Sequence, residues 1–207
     1  MNLRLHSLPR LVLLGLLVAL SACSILPESE PLRIYLLPTT TSPQQAREPA
    51  LQHALRINTP QASRILSSPR IAVVPQGNQI SAYGGARWSD AAPVLLRDRL
   101  IEAFQRDGRM PSVSNEDVNL YADLSLHSDL RAFQSVYIDD KPVVVITLDA
   151  RLVNRNDQHT LANRRFEVRQ PSADPSVESV VEAFGKASDR LSGEILEWTL
   201  SHARKLP

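Results

Sequence analysis

The chain has 207 residues, 23 basic and 22 acidic, with a formal charge of +1 and 43% hydrophobic content. This near-neutral balance gives no electrostatic case for nucleic-acid binding. The single cysteine excludes disulfides within the chain and cysteine-based zinc or redox sites.

Residues 1–22 read as a targeting segment. Arg4 and Arg10 precede the apolar run Leu11-Val12-Leu13-Leu14-Gly15-Leu16-Leu17-Val18-Ala19-Leu20, and small residues lead to Cys23. The run is about half of the ~20 residues that a membrane-spanning helix needs. Leu20-Ser21-Ala22-Cys23 has the form of a lipobox, whose thiol takes a diacylglycerol thioether before cleavage. Cys23 is therefore the expected lipidation site, with 1–22 as signal peptide, 23–30 as lipidated tether and 31–207 as the folded domain. Several acyl chains on one terminus give stable anchoring. Ser24 follows the cysteine, where an aspartate is the usual inner-membrane retention signal, so delivery to the outer membrane is expected. Loss of residues 1–22 takes away Arg4 and Arg10 and no acid, leaving 21 basic and 22 acidic residues and a charge of −1. Arginine outnumbers lysine 20 to 3, read chiefly as a genome-composition effect.

Beyond the tether, residues 32–38 read as a strand closed by Pro38, and 39–49 as a loop. Residues 51–57 alternate as a second strand, and 70–75 form a short buried one. Gly77 to Arg87 reads as a glycine-bearing loop, with Ser89 or Asp90 capping a helix that runs from about Ala91 to Asp107. Ala92, Leu96, Leu100, Ala103 and Phe104 make its apolar stripe, and Gly108 ends it. Residues 119–133 alternate, with Leu124, Leu126, Leu130 and Ala132 on one face and Asp123, His127, Asp129 and Arg131 on the other. That is a strand with one wet face, as in antiparallel pairing. Residues 143–153 repeat the pattern, 154–158 turn, and 161–169 return as a more polar strand near an edge. A last helix is expected over 177–201, with Val180, Val181, Phe184, Ala187, Leu191, Ile195 and Trp198 on its apolar stripe. The fold expected is a single α/β domain, a mixed and mostly antiparallel sheet with two main helices packed on one face.

Motifs for chemistry are missing. There is no GxGxxG, no GxxxxGK[ST] and no GxSxG. No two histidines lie closer than 32 residues, so no HExxH exists. His127 with Asp123 and Asp129 fits a solvated polar strand face better than a metal site. Asp139-Asp140 resembles a hairpin tip, and Glu194 and Glu197 the wet side of the last helix. No catalytic set, metal or cofactor is expected.

Two segments invite a partner-binding reading. Tyr83, Arg87 and Trp88 surround the glycine-bearing loop; Trp88 packs under the helix as a staple or contacts a partner. Phe133 and Tyr137 lie where a strand connection is expected, and either meet a partner or pack back on the domain.

Taken in order, Ile34-Tyr35-Leu36-Leu37-Pro38, Ile71-Ala72-Val73-Val74-Pro75, Tyr83 and Arg87-Trp88, the Leu95–Phe104 helix, Leu124-Ser125-Leu126, Leu148-Asp149-Ala150-Arg151-Leu152 and the Ala183–Leu191 helix resemble the ABC-type transport auxiliary lipoproteins. The resemblance covers nearly the whole chain after Cys23. It implies an α/β sandwich fold and a non-catalytic role in an envelope lipid-transport system. Its implied partners are an inner-membrane ABC transporter of permease and ATPase and a periplasm-bridging MCE-domain protein, docked at the outer membrane. Gly84-Gly85 departs from the polar residues common there. A periplasmic lipid carrier is the alternative, and homo-oligomerisation stays open.

Overall fold

Leu124–Ile138 is the strand around which the sheet is built. In the computed structural model, which describes residues 31–40, 50–118 and 120–206, this strand (β7) is hydrogen-bonded along both edges. One edge runs antiparallel to Lys141–Asn154 (β8) over its whole length, from Leu124↔Asn154 to Ile138↔Lys141. The other edge is shared by three shorter strands, all parallel to it. Leu55–Ile57 (β2) pairs with Leu124–Leu126, Gln61–Ala62 (β3) with Asp129–Leu130, and Arg70–Gln76 (β4) with Gln134–Val136. Arg33–Tyr35 (β1) and Gln79–Trp88 (β5) extend the sheet beyond β4, Val113–Ser114 (β6) pairs with β2, and Thr160–Pro171 (β9) pairs with β8. Among the described residues nine strands form this one mixed sheet. Its long pairings are antiparallel and its parallel ones short, as alternating wet-faced strands predict. Among the described residues β9 pairs with β8 alone, an edge as its polar sequence suggests.

A turn and a bulge set the register. Asp139 and Asp140 have φ of 49° and 58°, the two-residue turn whose twist suits a hairpin. Between Leu130 and Ala132 the β7–β8 register slips by one, leaving Arg131 as an extra residue. This bulge inverts the alternation. Leu124, Leu126 and Leu130 face inward before it, Phe133 and Ser135 after it.

Ala92–Asp107 (α1) and Val177–Ala203 (α2) pack against each other on the sheet. Gly108 closes α1 with φ of 78°, its N–H donating to the Phe104 carbonyl. No side chain caps the start of α1; Ala91 is the N-cap, with Pro93 just inside. Ser176 caps α2, its hydroxyl accepting from the Ser179 N–H at 3.2 Å. α2 crosses the sheet from β1, where Glu178 accepts from Tyr35, to β9, where Trp198 meets Phe166 edge-on at 5.6 Å. Beneath its first half Phe184 stacks on Phe133 at 4.7 Å and meets Trp88 edge-on at 5.2 Å. Each such contact adds about 0.5–1.5 kcal/mol beyond the area buried. Leu32–Pro207 form one compact unit. The signal peptide, lipobox and Cys23 lie outside the described residues, as do residues 41–49 of the expected loop.

Several sequence expectations change: neither Ser89 nor Asp90 caps α1, because Ala91 occupies the N-cap, and the strand expected over 32–38 is Arg33–Tyr35 alone. The segment read as a loop from Gly77 to Arg87 is mostly strand β5, because its glycines mark a bulge rather than a connection. β4 and β5 lose register between Arg70↔Arg87 and Ala72↔Ala82, and Gly85 lies in the slipped stretch with φ of 61°. The strand expected over 119–133 runs instead from 124 to 138. The strand expected over 51–57 shrinks to Leu55–Ile57.

Candidate functional site

Strand alternation assigns the two sheet faces. Ile71, Trp88, Phe133, Val144, Ile146, Leu148 and Phe166 point to the helices and are buried. Their neighbours Arg70, Arg87, Gln134, Val143, Asp149 and Arg165 point to the opposite face. Among the described residues no helix covers that outer face.

The five candidate contact residues fall in three places. Trp88 and Phe133 are each 1% exposed and belong to the aromatic core, so the partner-contact reading of these two is corrected. Phe133 is buried because the Arg131 bulge turns it inward, and Trp88 because β5 sits between β1 and β4 rather than looping out. Tyr83 and Tyr137 are half-buried and close together at the end of the sheet that carries the β7–β8 turn. The Tyr83 hydroxyl donates to Ser135 Oγ at 3.2 Å. Burial, with Tyr137 adding, pushes the Tyr83 phenol up to about 12. Ile80 and Ile138 are exposed at the same end. Arg87 is exposed on the outer face, on the other side of the sheet from both tyrosines.

An ion ladder crosses the outer face between β7, β8 and β9. Arg165 grips Asp149 with two hydrogen bonds of 2.6 and 2.8 Å, and Arg131 adds a third at 2.9 Å. Arg151 donates to Asp129 at 3.0 Å. The Arg165 and Arg131 hydrogen bonds hold the Asp149 carboxyl well below the usual carboxylate range. The arginines stay half-exposed or more, so each bond is worth little on its own.

His127, Asp123 and Asp129 do not converge. His127 lies by Ser125 Oγ (3.0 Å) and the Asn58 amide, Asp123 accepts from the Ala54 N–H (2.8 Å), and Asp129 serves Arg151. Among the described residues no three His, Cys, Asp or Glu side chains gather as a metal site. A hollow of about 320 Å³ lies between Ala50–His53 and Ala203, Arg204 and Leu206, at the surface rather than under the helices.

The segment after β1 is clamped between the helices by groups that the hydrophobic pattern does not name. Arg99 of α1 donates to the carbonyls of Leu37 and Pro38, each at 2.8 Å, and pairs with Asp189 of α2. Asp189 also accepts the Thr40 N–H at 2.8 Å and hydroxyl at 2.6 Å. These hydrogen bonds outweigh desolvation and lower the Asp189 pKa. Pro38 passes so close to α2 that a Cβ at Gly185 would lie 2.7 Å from its carbonyl oxygen. The available signal was position: Arg99 sits three residues after Leu96 on the apolar stripe, where a solvated arginine does not belong.

The model of a family described as the ABC-type transport auxiliary lipoprotein component matches residues 35–196. A crystal structure of a protein from Xanthomonas campestris, assigned to DUF330, is 31% identical with a TM-score of 0.76, covering 83% of this chain and 97% of that one. A second solved structure, 16% identical with a TM-score of 0.64, shares the fold over 81% of this chain and 98% of its own. An uncharacterised protein of Bradyrhizobium diazoefficiens is 29% identical over 151 residues, which is 72% of this chain. The matched stretch spans 40% of the length of that relative.

Proposed function

The chain belongs to the ABC-type transport auxiliary lipoprotein component family, and on that premise we propose that it is a non-catalytic adaptor of an envelope lipid-transport system. Cys23 anchors it by acyl chains to the periplasmic face of the outer membrane. The domain then docks an MCE-domain protein that bridges the periplasm from an inner-membrane permease and ATPase. The observation that carries this reading is the family match over most of the folded unit. The contact we assign to the partner is the turn end of the sheet, where Tyr83 and Tyr137 lie beside exposed Ile80 and Ile138.

A lipid carrier requires a dry cavity. Here the space between sheet and helices is filled by Trp88, Phe133, Phe184 and their aliphatic neighbours, which favours the adaptor over the carrier. The test is capture of the lipidated protein from solubilised envelopes. Co-purification of an MCE or transporter component is expected, and Ile138→Asp should reduce it. Capture with no such component would defeat the adaptor reading.

A further inference from the structure

Arg70 and Arg87 are Cα partners on neighbouring strands β4 and β5. Both point to the outer face, because Ile71, Ala86 and Trp88 on either side of them are buried. Among the described residues neither has an acidic side chain within ion-pair distance. Residues 31–38 and 70–88 contain no aspartate or glutamate. Like charges placed opposite each other on a sheet repel, and elsewhere on this face arginines are matched by Asp149 and Asp129. The unmatched pair therefore points to an anion supplied from outside the domain.

The neighbours of the pair identify the anion. Ile34 of β1 is the Cα partner of Arg87. Leu32, Ile34 and Leu36 form one outward row, 51%, 57% and 75% exposed. Two guanidinium groups beside an aliphatic row suit the boundary of a bilayer, where phosphate lies above acyl chain. Guanidinium binds phosphate oxygens through paired hydrogen bonds. The patch is on the strand that follows the tether: Leu32 is nine residues from Cys23, at most about 30 Å of extended chain.

We propose that Arg70 and Arg87, with Leu32, Ile34 and Leu36, form a membrane-seating surface that binds the headgroup phosphates of anionic phospholipid and lays β1 against the bilayer. The surface rests on the anchored-adaptor reading only in that the tether keeps it within reach of lipid. Its role is to fix orientation, leaving the far end of the sheet for the transport partner.

Once Cys23 is acylated the chain has no other thiol, so Leu36→Cys accepts a single fluorescent label. The lipidated full chain is reconstituted in phosphatidylcholine vesicles, with or without phosphatidylglycerol, carrying bromine on their acyl chains. Quenching that requires phosphatidylglycerol is expected, and Arg70→Gln with Arg87→Gln should weaken the contact about fivefold for each arginine replaced. A label that stays in water, or equal quenching in the double variant with an unchanged circular dichroism spectrum, overturns the proposal. So does a label shielded only when envelope proteins are added, which would make the patch a protein contact. If mass spectrometry finds no acyl group on Cys23, the anchor reading fails by itself. The seating surface is then judged by sedimentation of the Cys23→Ser full chain with the same vesicles. Arginine-dependent binding that needs phosphatidylglycerol supports it, and its absence sinks it.

Discussion

Arg99 of α1 and Asp189 of α2 form an ion pair in which both side chains are only 4% exposed. Asp189 spends its remaining oxygen on Thr40, and Arg99 donates from its other terminal nitrogen, Nη2, to the carbonyls of Leu37 and Pro38. Two helices and the segment leading from β1 are thus joined at one point. Breaking such a pair from one side leaves a buried charge. Asp189→Ala should cost about 3–5 kcal/mol, while Arg99→Met with Asp189→Leu should recover much of that loss. Urea unfolding of the three proteins checks this; a double variant as unstable as the single would show that the charges themselves are needed.

Gly185 is the place where the clamped segment touches α2. Gly185→Ala should lift residues 37–40 from the helix, because the new Cβ would meet Pro38. Faster hydrogen exchange and protease cleavage in that segment are the expected signs. Gly193 is also in α2 but has nothing within 4 Å of its would-be Cβ. Gly193→Ala should therefore stabilise the protein by about 0.5–1 kcal/mol through helix propensity.

His127 gives the fold a pH dependence. Burial, followed by the charges of Arg151 and Arg155, lowers its pKa below 6.5, with Asn58 and Ser125 as its neutral neighbours. The unfolded chain then binds more protons than the folded one as pH drops past 6.5, so stability falls with it and levels off below the folded pKa. The Asp189 and Asp149 contributions are lost in a separate, more acidic window, as pH falls from the ordinary aspartate value of 3.8 towards their lowered folded values. Denaturation midpoints measured between about pH 7 and 5 should fall for the parent and stay nearly flat for His127→Gln. An unchanged slope in the variant would assign the effect elsewhere.

Cys23→Ala tests the anchor directly. The domain should fold with an unchanged circular dichroism spectrum, yet leave the membrane fraction on cell fractionation. Retention in the membrane after loss of residues 1–22 would refute lipidation as the means of attachment.

Both helices were legible because an apolar stripe at helical spacing needs no tertiary information, and Gly108 ends α1 where its residue type predicts. The β7–β8–β9 meander was legible from alternation. What alternation cannot register is an inserted residue. The bulge at Arg131 reverses every later side chain, which is why Phe133 reads as an exposed connection and is a core residue. Glycines misled in a related way, since Gly84 and Gly85 are as compatible with a bulged strand as with a loop. Trp88, read as a staple under α1 or a partner contact, is buried, and its ring contacts are with Phe133 of β7 and Phe184 of α2. Arg99–Asp189 joins positions 90 residues apart, and no local pattern encodes that pairing. The outer-face arginines were visible as residues, but their lack of acidic neighbours emerges only when β1, β4 and β5 lie side by side.

The three parallel strands along one edge of β7 also govern the order of assembly. Leu55 waits for Leu124, and Val74 for Val136, before either finds its place in the sheet. Closing such long loops slows folding. By contrast β7, β8 and β9 join through hairpin turns and close quickly once made. The β4–β5 hairpin, with β1 along β5, can form by itself, so what waits for β7 is the joining of this leading part to the rest of the sheet. The topology separates in time what the folded domain joins in space: the hairpins close first, and β7 then ties the two parts of the sheet together.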